Sequence, residues 1–254
     1  MELWTGPHAA TLLPALVIMF AIAWILRRLL NGKSLEARML PIKIIAVILL
    51  LLEVGKQATS LAQGYDLYCL PFHFCSLYLF VLPAIAFYRG KYRQQVCAIT
   101  ASTCASLFLL MLIYPNLIYS ADNVRAYFQD YMSFHTVTFH NLVMLAFLLI
   151  PALDLYIPQK KGETKALIQF IGVFCTVAAT MAQLLKTNFA NYYTCNIPVL
   201  ESLRLSVQAL FGYWPAQILY ILILSAVTLL FVLMAYRICI LIAKLFSRSP
   251  QMTA

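Results

Sequence analysis

Long, nearly uncharged apolar runs alternate along the chain with short polar breaks, and the runs have the length of membrane crossings. A helix needs about 20 mostly apolar residues to traverse roughly 30 Å of hydrocarbon. Seven runs meet that length: 9–30, 40–59, 70–88, 96–114, 135–156, 166–186 and 216–243. The pattern predicts an all-α, polytopic membrane helix bundle of seven transmembrane helices. No Pro- or Gly-rich linker, repeat or low-complexity tract divides the chain, so residues 1–254 are read as a single integral membrane domain. Two connections, 115–134 and 187–215, are long and rich in Tyr, Phe and Asn. They are expected to cap the helix ends, with Trp4, Tyr119, Tyr127, Tyr131, Tyr192, Tyr193, Tyr213 and Trp214 forming an aromatic belt at one membrane surface.

Charge turns this pattern into an orientation. The first run has no basic segment before it, and Arg27 and Arg28 follow it, which is the reverse of a signal peptide. It reads as a retained span with the N-terminus outside and the C-terminus cytoplasmic. On that topology 14 of the 18 Lys and Arg residues fall inside, leaving Lys56, Arg125, Lys186 and Arg204 on the outer side. The composition agrees: 63% hydrophobic, 11% charged and a mean hydropathy of +0.85 exclude a soluble globular domain. The net charge of +9 reports orientation, and a nucleic-acid partner is not expected.

The remaining polar residues share one depth. Glu53, Lys56 and Gln57 lie in the outer third of the second span. Cys69, Pro71, His73, Cys75 and Ser76 begin the third, and His135, Thr136, Thr138, His140 and Asn141 begin the fifth. Gln183, Lys186 and Asn188 end the sixth. Charges inside a span are expensive and mark function by default. Glu53 and Lys56 are three apart, so an ion pair on one face is expected, acting in the site or as a structural clamp. On a helix, His73 and Cys75 diverge by roughly 200°, so they share a pocket only if the Leu70–Pro71 start is irregular. Thr136 and His140 share a face, whereas His135 and His140 diverge by about 140°. Elsewhere, Asp154 reads as solvated or paired with Lys160, and Ser102, Thr103 and Cys104 as residues for close helix packing.

The run Leu70-Pro71-Phe72-His73-Phe74-Cys75 resembles the LPLHLC signature of the YwaF-like bacterial membrane proteins, which are grouped with the animal transmembrane protein 164 family. Glu53-Val54-Gly55-Lys56 is similar to that family's acidic-x-Gly segment, and Phe139-His140 to its histidine at the head of a later span. Asn191-Tyr192-Tyr193 with Pro198 resembles its NYMYL…P segment, and Phe211-Gly212-Tyr213-Trp214-Pro215 its GPWPW start to the last helix. Together these motifs cover residues 53–215 in order. The resemblance implies a lipid-facing acyltransferase or lipid-ester hydrolase in the cell membrane, built from a nucleophile in the third span and a histidine. In the animal pattern a Cys directly precedes the signature His. Phe72 stands there in this chain, which leaves Cys75 or Cys69 for that role.

The chemistry expected from these residues uses Cys75, His140 and His73 as catalytic groups. A buried thiol needs a neighbouring base to become a thiolate. His140 would supply the base, Lys56, Gln183 or Asn188 would stabilise an oxyanion, and Glu53 would hold Lys56 or a histidine. Glu53, Lys56, His135, Gln183, Lys186, Asn188 and Asn191 are the candidate substrate-binding residues, and the expected partner is a membrane phospholipid or lysophospholipid. The alternative is a binding or transport protein for a small polar or charged solute. No cofactor is expected. Histidines, Cys75 and Glu53 suit zinc by type, but no pair has the spacing of a zinc motif, so no metal is expected either. A retinal-type receptor would want a Lys in the last span, and 216–243 has none. Cys69 and Cys195 share the outer side and are candidates for a disulfide.

Overall fold

Uninterrupted apolar sequence without Gly or Pro clusters folds as helix wherever neighbouring helices bury it, and helices carry the whole of this structure, a computed structural model described at residues 6–158, 161–196 and 198–247. Among these residues there is no strand. The helices are α1 (Gly6–Leu30), α2 (Leu35–Ala62), α3 (Tyr78–Phe87), α4 (Arg93–Ile113), α5 (Ala121–Arg125), α6 (Tyr131–Ala152), α7 (Glu163–Leu185), α8 (Pro198–Phe211) and α9 (Tyr213–Ser247).

Five of them, α1, α4, α6, α7 and α9, are both long and apolar enough to cross a membrane. α2 has the length, with 28 residues, but carries Glu36, Arg38, Lys43, Glu53 and Lys56. The expected third span departs most from its prediction. Only Tyr78–Phe87 is α-helix, ten residues, and the stretch before it is turn. The cause is Pro71, whose ring disfavours helical geometry in the residue before it. Leu70 accordingly sits at φ −60°, ψ 146°, and His73 is also extended, at φ −82°, ψ 156°. A short 3₁₀ turn, Phe74–Leu77, then leads into α3.

α4 is the centre of the bundle and packs against α3, α6, α7 and α9. Small side chains allow this: Ala98, Ala101, Cys104 and Ala105 are buried, and so are Thr100, Ser102, Thr103 and Ser106. Their hydroxyls bond back to their own helix, Ser102 to the Ala98 carbonyl at 2.7 Å and Thr103 to that of Ile99 at 2.8 Å. Thr100 also donates to the Val81 carbonyl on α3 at 3.0 Å. This is the close packing expected of small polar residues in apolar helices.

Contacts define two ends. At one, the α1–α2 turn, the segment after α3 and the α6–α7 connection meet: Arg38 reaches the Leu153 carbonyl at 2.9 Å, Arg89 reaches Glu36, and Gln94 reaches Glu163. Asp154 lies 3.9 Å from Arg38, and its expected partner Lys160 is outside the described residues. At the other end, His8 meets Asn116, and the long connections fold back across the helices.

The aromatic residues of those connections correct the belt expectation. Tyr119 and Tyr192 are buried, their hydroxyls bonded to Asn141 and Ser225. Tyr127 bonds Thr138, and Tyr131 donates to the Leu52 carbonyl at 2.9 Å. These rings stitch the cap onto the bundle because each hydroxyl finds a polar partner inside. Trp214 is exposed as expected, and Trp4 lies outside the described residues. The second connection also contains a helix the sequence reading passed over. α8 turns Glu201, Arg204 and Gln208 toward α9 and leaves Val199, Leu203 and Leu210 exposed.

Candidate functional site

α2 supplies the charged core of the site. Three residues apart on one face, Glu53 and Lys56 form an ion pair at 2.7 Å, with each side chain only 14% exposed. Gln57, one turn beyond Glu53, donates to the same carboxylate oxygen at 2.7 Å and to the Cys69 carbonyl at 2.8 Å, and accepts from the Tyr65 hydroxyl. It thereby pins the turn carrying the Leu70–Cys75 motif to α2. Gly55, two residues from Glu53, lies on another face of α2. The Tyr131 hydroxyl lies against it, and a Cβ there would stand 2.0 Å from that oxygen. The glycine therefore serves a close approach of α6 to α2.

α6 brings the histidines. His135 is buried, with Nε2 3.4 Å from Glu53 Oε2, outside hydrogen-bonding geometry and without another partner. Its ring stacks on Phe139. His140, also buried, places Nδ1 2.6 Å from the Thr136 carbonyl one turn back. A carbonyl only accepts, so Nδ1 carries the proton, and the Nε2 lone pair remains an acceptor.

His73 is held differently. Its Nε2 donates to the Tyr68 carbonyl at 2.9 Å, and its Nδ1 accepts from the Ala190 N–H at 3.5 Å. Tyr68 and Phe189 flank the ring. Both nitrogens are thus engaged, and they tie the motif turn to the connection after α7. The broken start of α3 matters here, because the 200° divergence of a helix does not apply to His73 and Cys75. The Gln57 bond to the Cys69 carbonyl ties the motif turn to α2, and the Tyr131 bond to the Leu52 carbonyl with the approach of His135 to Glu53 ties α6 to α2. No hydrogen bond links Cys75 to either histidine.

The α7 residues expected at this site serve its frame. Gln183 donates to the Tyr192 carbonyl at 2.9 Å and accepts from the Tyr213 hydroxyl at 2.9 Å. Asn188 accepts from the Tyr193 and Thr194 N–H groups, and the Asn191 carbonyl accepts from Tyr220 at 2.6 Å. Lys186 ends α7 in a left-handed conformation, φ 51°, and is exposed. Ala190 and Asn191, at φ 48° and 64°, give the sharp bend that sets Phe189 against His73. Behind them Arg204 binds Glu201 at 2.6 Å and Gln217 at 3.0 Å, and that guanidinium holds the Glu201 carboxyl below the usual carboxylate range. Cys69 and Cys195 are both free thiols. Among the described residues no three His, Cys, Asp or Glu side chains are grouped to hold a metal ion.

Gln57, named on the second span from the sequence, is the i+4 partner of Glu53. One functional-looking group escaped the sequence reading: Glu163 is fully buried at the opposite end, where Gln94, Tyr156 and Tyr236 donate to it. Comparison with curated proteins and with solved structures gives no match. The profile of the TMEM164 family matches residues 3–236, a stretch that includes Glu53, the Leu70–Cys75 turn, both α6 histidines and the bend after α7. The chain is therefore a multi-pass membrane protein of the TMEM164 family.

Proposed function

We propose that this protein is a membrane lipid acyltransferase or lipid-ester hydrolase in which Cys75 is the nucleophile and His140 the base. The tautomer of His140 carries this reading. With Nδ1–H spent on the Thr136 carbonyl, Nε2 is set to take a proton. His73 has both nitrogens occupied and acts as a positioning residue for the turn bearing Cys75. In the first half-reaction the Cys75 thiol gives its proton to His140 Nε2, and the thiolate attacks the ester carbonyl. The C–O bond breaks, and the departing lysolipid alkoxide takes the proton back. In the second, a lysophospholipid hydroxyl, or water, gives its proton to His140 and attacks the thioester. An acylated lipid, or a free fatty acid, leaves and the thiol is restored. Lys56, held by Glu53, is the cation available to the oxyanion, since Gln183 and Asn188 are committed to the loop.

The proposed setting is the cell membrane, crossed seven times with the N-terminus outside, α2 and the short α3 completing the five apolar spans. The gathering of Arg27, Arg28, Arg38 and Arg89 at the end opposite His140 supports this orientation. The competing reading, transport of a polar solute, is favoured by the unpartnered His135 Nε2 beside Glu53. The hydroxyls of Ser102, Thr103 and Ser106 weigh against it, being buried and turned back onto α4 instead of lining a path.

Reconstituted protein given a phospholipid donor and a lysophospholipid acceptor should transfer or release acyl chains. Cys75→Ala and His140→Ala should each lower the rate by about 10²-fold or more while the protein stays folded, and Cys69→Ala should leave it within a few-fold. Activity surviving both of the first two substitutions would overturn the thiol mechanism.

A further inference from the structure

At the basic end, away from the site above, an open groove of about 650 Å³ runs between α1, α6 and α9. Its walls are apolar: Phe20, Trp24, Phe108, Phe147, Leu148 and Ile242 contribute. Its mouth is not. Arg27, Arg28 and Asn31 rim it, and Arg27, Asn31 and Ala152 continue into a small polar pocket that adds Arg38 and Asp154. Arg28 is held over the Trp24 ring, 5.4 Å from its centroid, so one guanidinium stands where the apolar wall ends. Among the described residues, Arg27, Arg28 and Arg38 meet one carboxylate there, Asp154. Arg38 adds a buried Nε with no hydrogen-bond partner.

We propose that this groove is a binding site for an anionic phospholipid. An acyl chain lies along the α1–α6 wall, and the phosphate sits among Arg27, Arg28 and Arg38. The volume is that of an ordinary ligand site. Apolar walls alone would take any lipid tail, so the arginines select. Basic pockets between membrane helices recognise acidic headgroups in this way, each cation near the surface adding about five-fold in affinity. The site is distinct from the Cys75–His140 neighbourhood, and a lipid here acts as a structural or regulatory ligand.

Trp24 lies in the groove wall, and the chain has only three tryptophans, so it can report occupancy directly. With Trp4→Phe and Trp214→Phe, Trp24 is the sole emitter. The protein is placed in vesicles containing dibrominated phosphatidylglycerol or dibrominated phosphatidylcholine, and quenching of Trp24 is compared. The expected result is a preference of about five-fold or more for phosphatidylglycerol, reduced about five-fold by Arg28→Gln and kept by Arg28→Lys. Arg28 is exposed, so the Gln variant should fold, as circular dichroism would verify. Equal quenching by both lipids would mean a merely apolar groove and overturns the proposal. Trp24 shielded from both would mean occupation by another protein segment or a second copy, and does the same. Inorganic phosphate should not displace the lipid at millimolar concentration. If it does, the headgroup alone is recognised and the groove plays no part.

Discussion

Two glutamates are withdrawn from solvent at opposite ends of this bundle, Glu163 fully and Glu53 in large part, and their surroundings differ in kind. Glu163 starts α7, where helix N-termini favour a negative charge, and among the described residues neutral donors from α4, the α6–α7 connection and α9 converge on it. Glu53 sits mid-helix on α2 with an ammonium and an amide on one oxygen and an imidazole 3.4 Å from the other. The first is a carboxylate used as a knot, its acceptor capacity spent on joining elements. The second is charged on both sides of the pair and leaves His135 Nε2 unsatisfied in a buried position. Native structures satisfy buried polar atoms almost everywhere, and this exception stands beside an ion pair.

Loss of Glu163 should be the costliest of these changes. Glu163→Ala orphans the buried hydroxyls of Tyr156 and Tyr236 and takes one acceptor from Gln94, which keeps the Ile157 carbonyl, and should cost about 3–5 kcal/mol. Unfolding of the detergent-solubilised protein would measure it. Whatever folded protein remains should transfer acyl chains at a normal specific rate. A folded but inactive variant would show that Glu163 belongs to the chemistry and that the two glutamates share one role.

The Glu53 side predicts a different pattern. Glu53→Gln leaves a buried ammonium without its counter-ion and should cost about 2 kcal/mol. Adding Lys56→Met removes the stranded charge and should bring stability back to within about 1 kcal/mol of the parent, since apolar replacement of a buried pair is often neutral. Activity should not return with it. Recovery of both together would make the pair a clamp.

Legibility follows the same division. Runs such as those of α1, α4 and α9 are visible because lipid demands continuous apolar length, a property of sequence alone. The pair of Glu53 and Lys56 is visible because helical spacing fixes which residues are neighbours. Three features needed the third dimension. Leu70–Leu77 looks apolar enough to be helix, yet Pro71 holds it open, and that opening is what lets His73 and Cys75 occupy one turn. Glu163 reads as an ordinary first-turn acid, because nothing local announces that residues 94, 156 and 236 will meet it. Tyr119 and Tyr192 read as surface rings, since a hydroxyl's buried partner lies on another element. α8, by contrast, was available: Glu201, Arg204 and Gln208 repeat at i, i+3 and i+7, and the apolar residues between them hide a helix whose polar face turns inward.

Asp130 gives the smallest and cleanest test of what a carboxylate bound by neutral donors contributes. It caps α6, the helix of His135 and His140, and accepts from the Ser133 N–H at 2.8 Å. That bond holds its carboxyl below the usual value of 3.8. Asp130→Ala should cost about 1 kcal/mol near neutral pH, less than the loss of Glu163 because water can replace an exposed cap. The sign with pH is fixed. The folded state binds its proton less readily than the unfolded chain, so the stabilisation is present in full above the ordinary carboxylate value and is lost as pH falls through the lowered one. Parent and variant should therefore differ by a constant amount from pH 7 to about pH 5 and converge in stronger acid. A difference that widens on acidification would mean that Asp130 is carrying charge for another group, as Glu53 does, and would move the boundary between the two kinds of carboxylate to the mouth of α6.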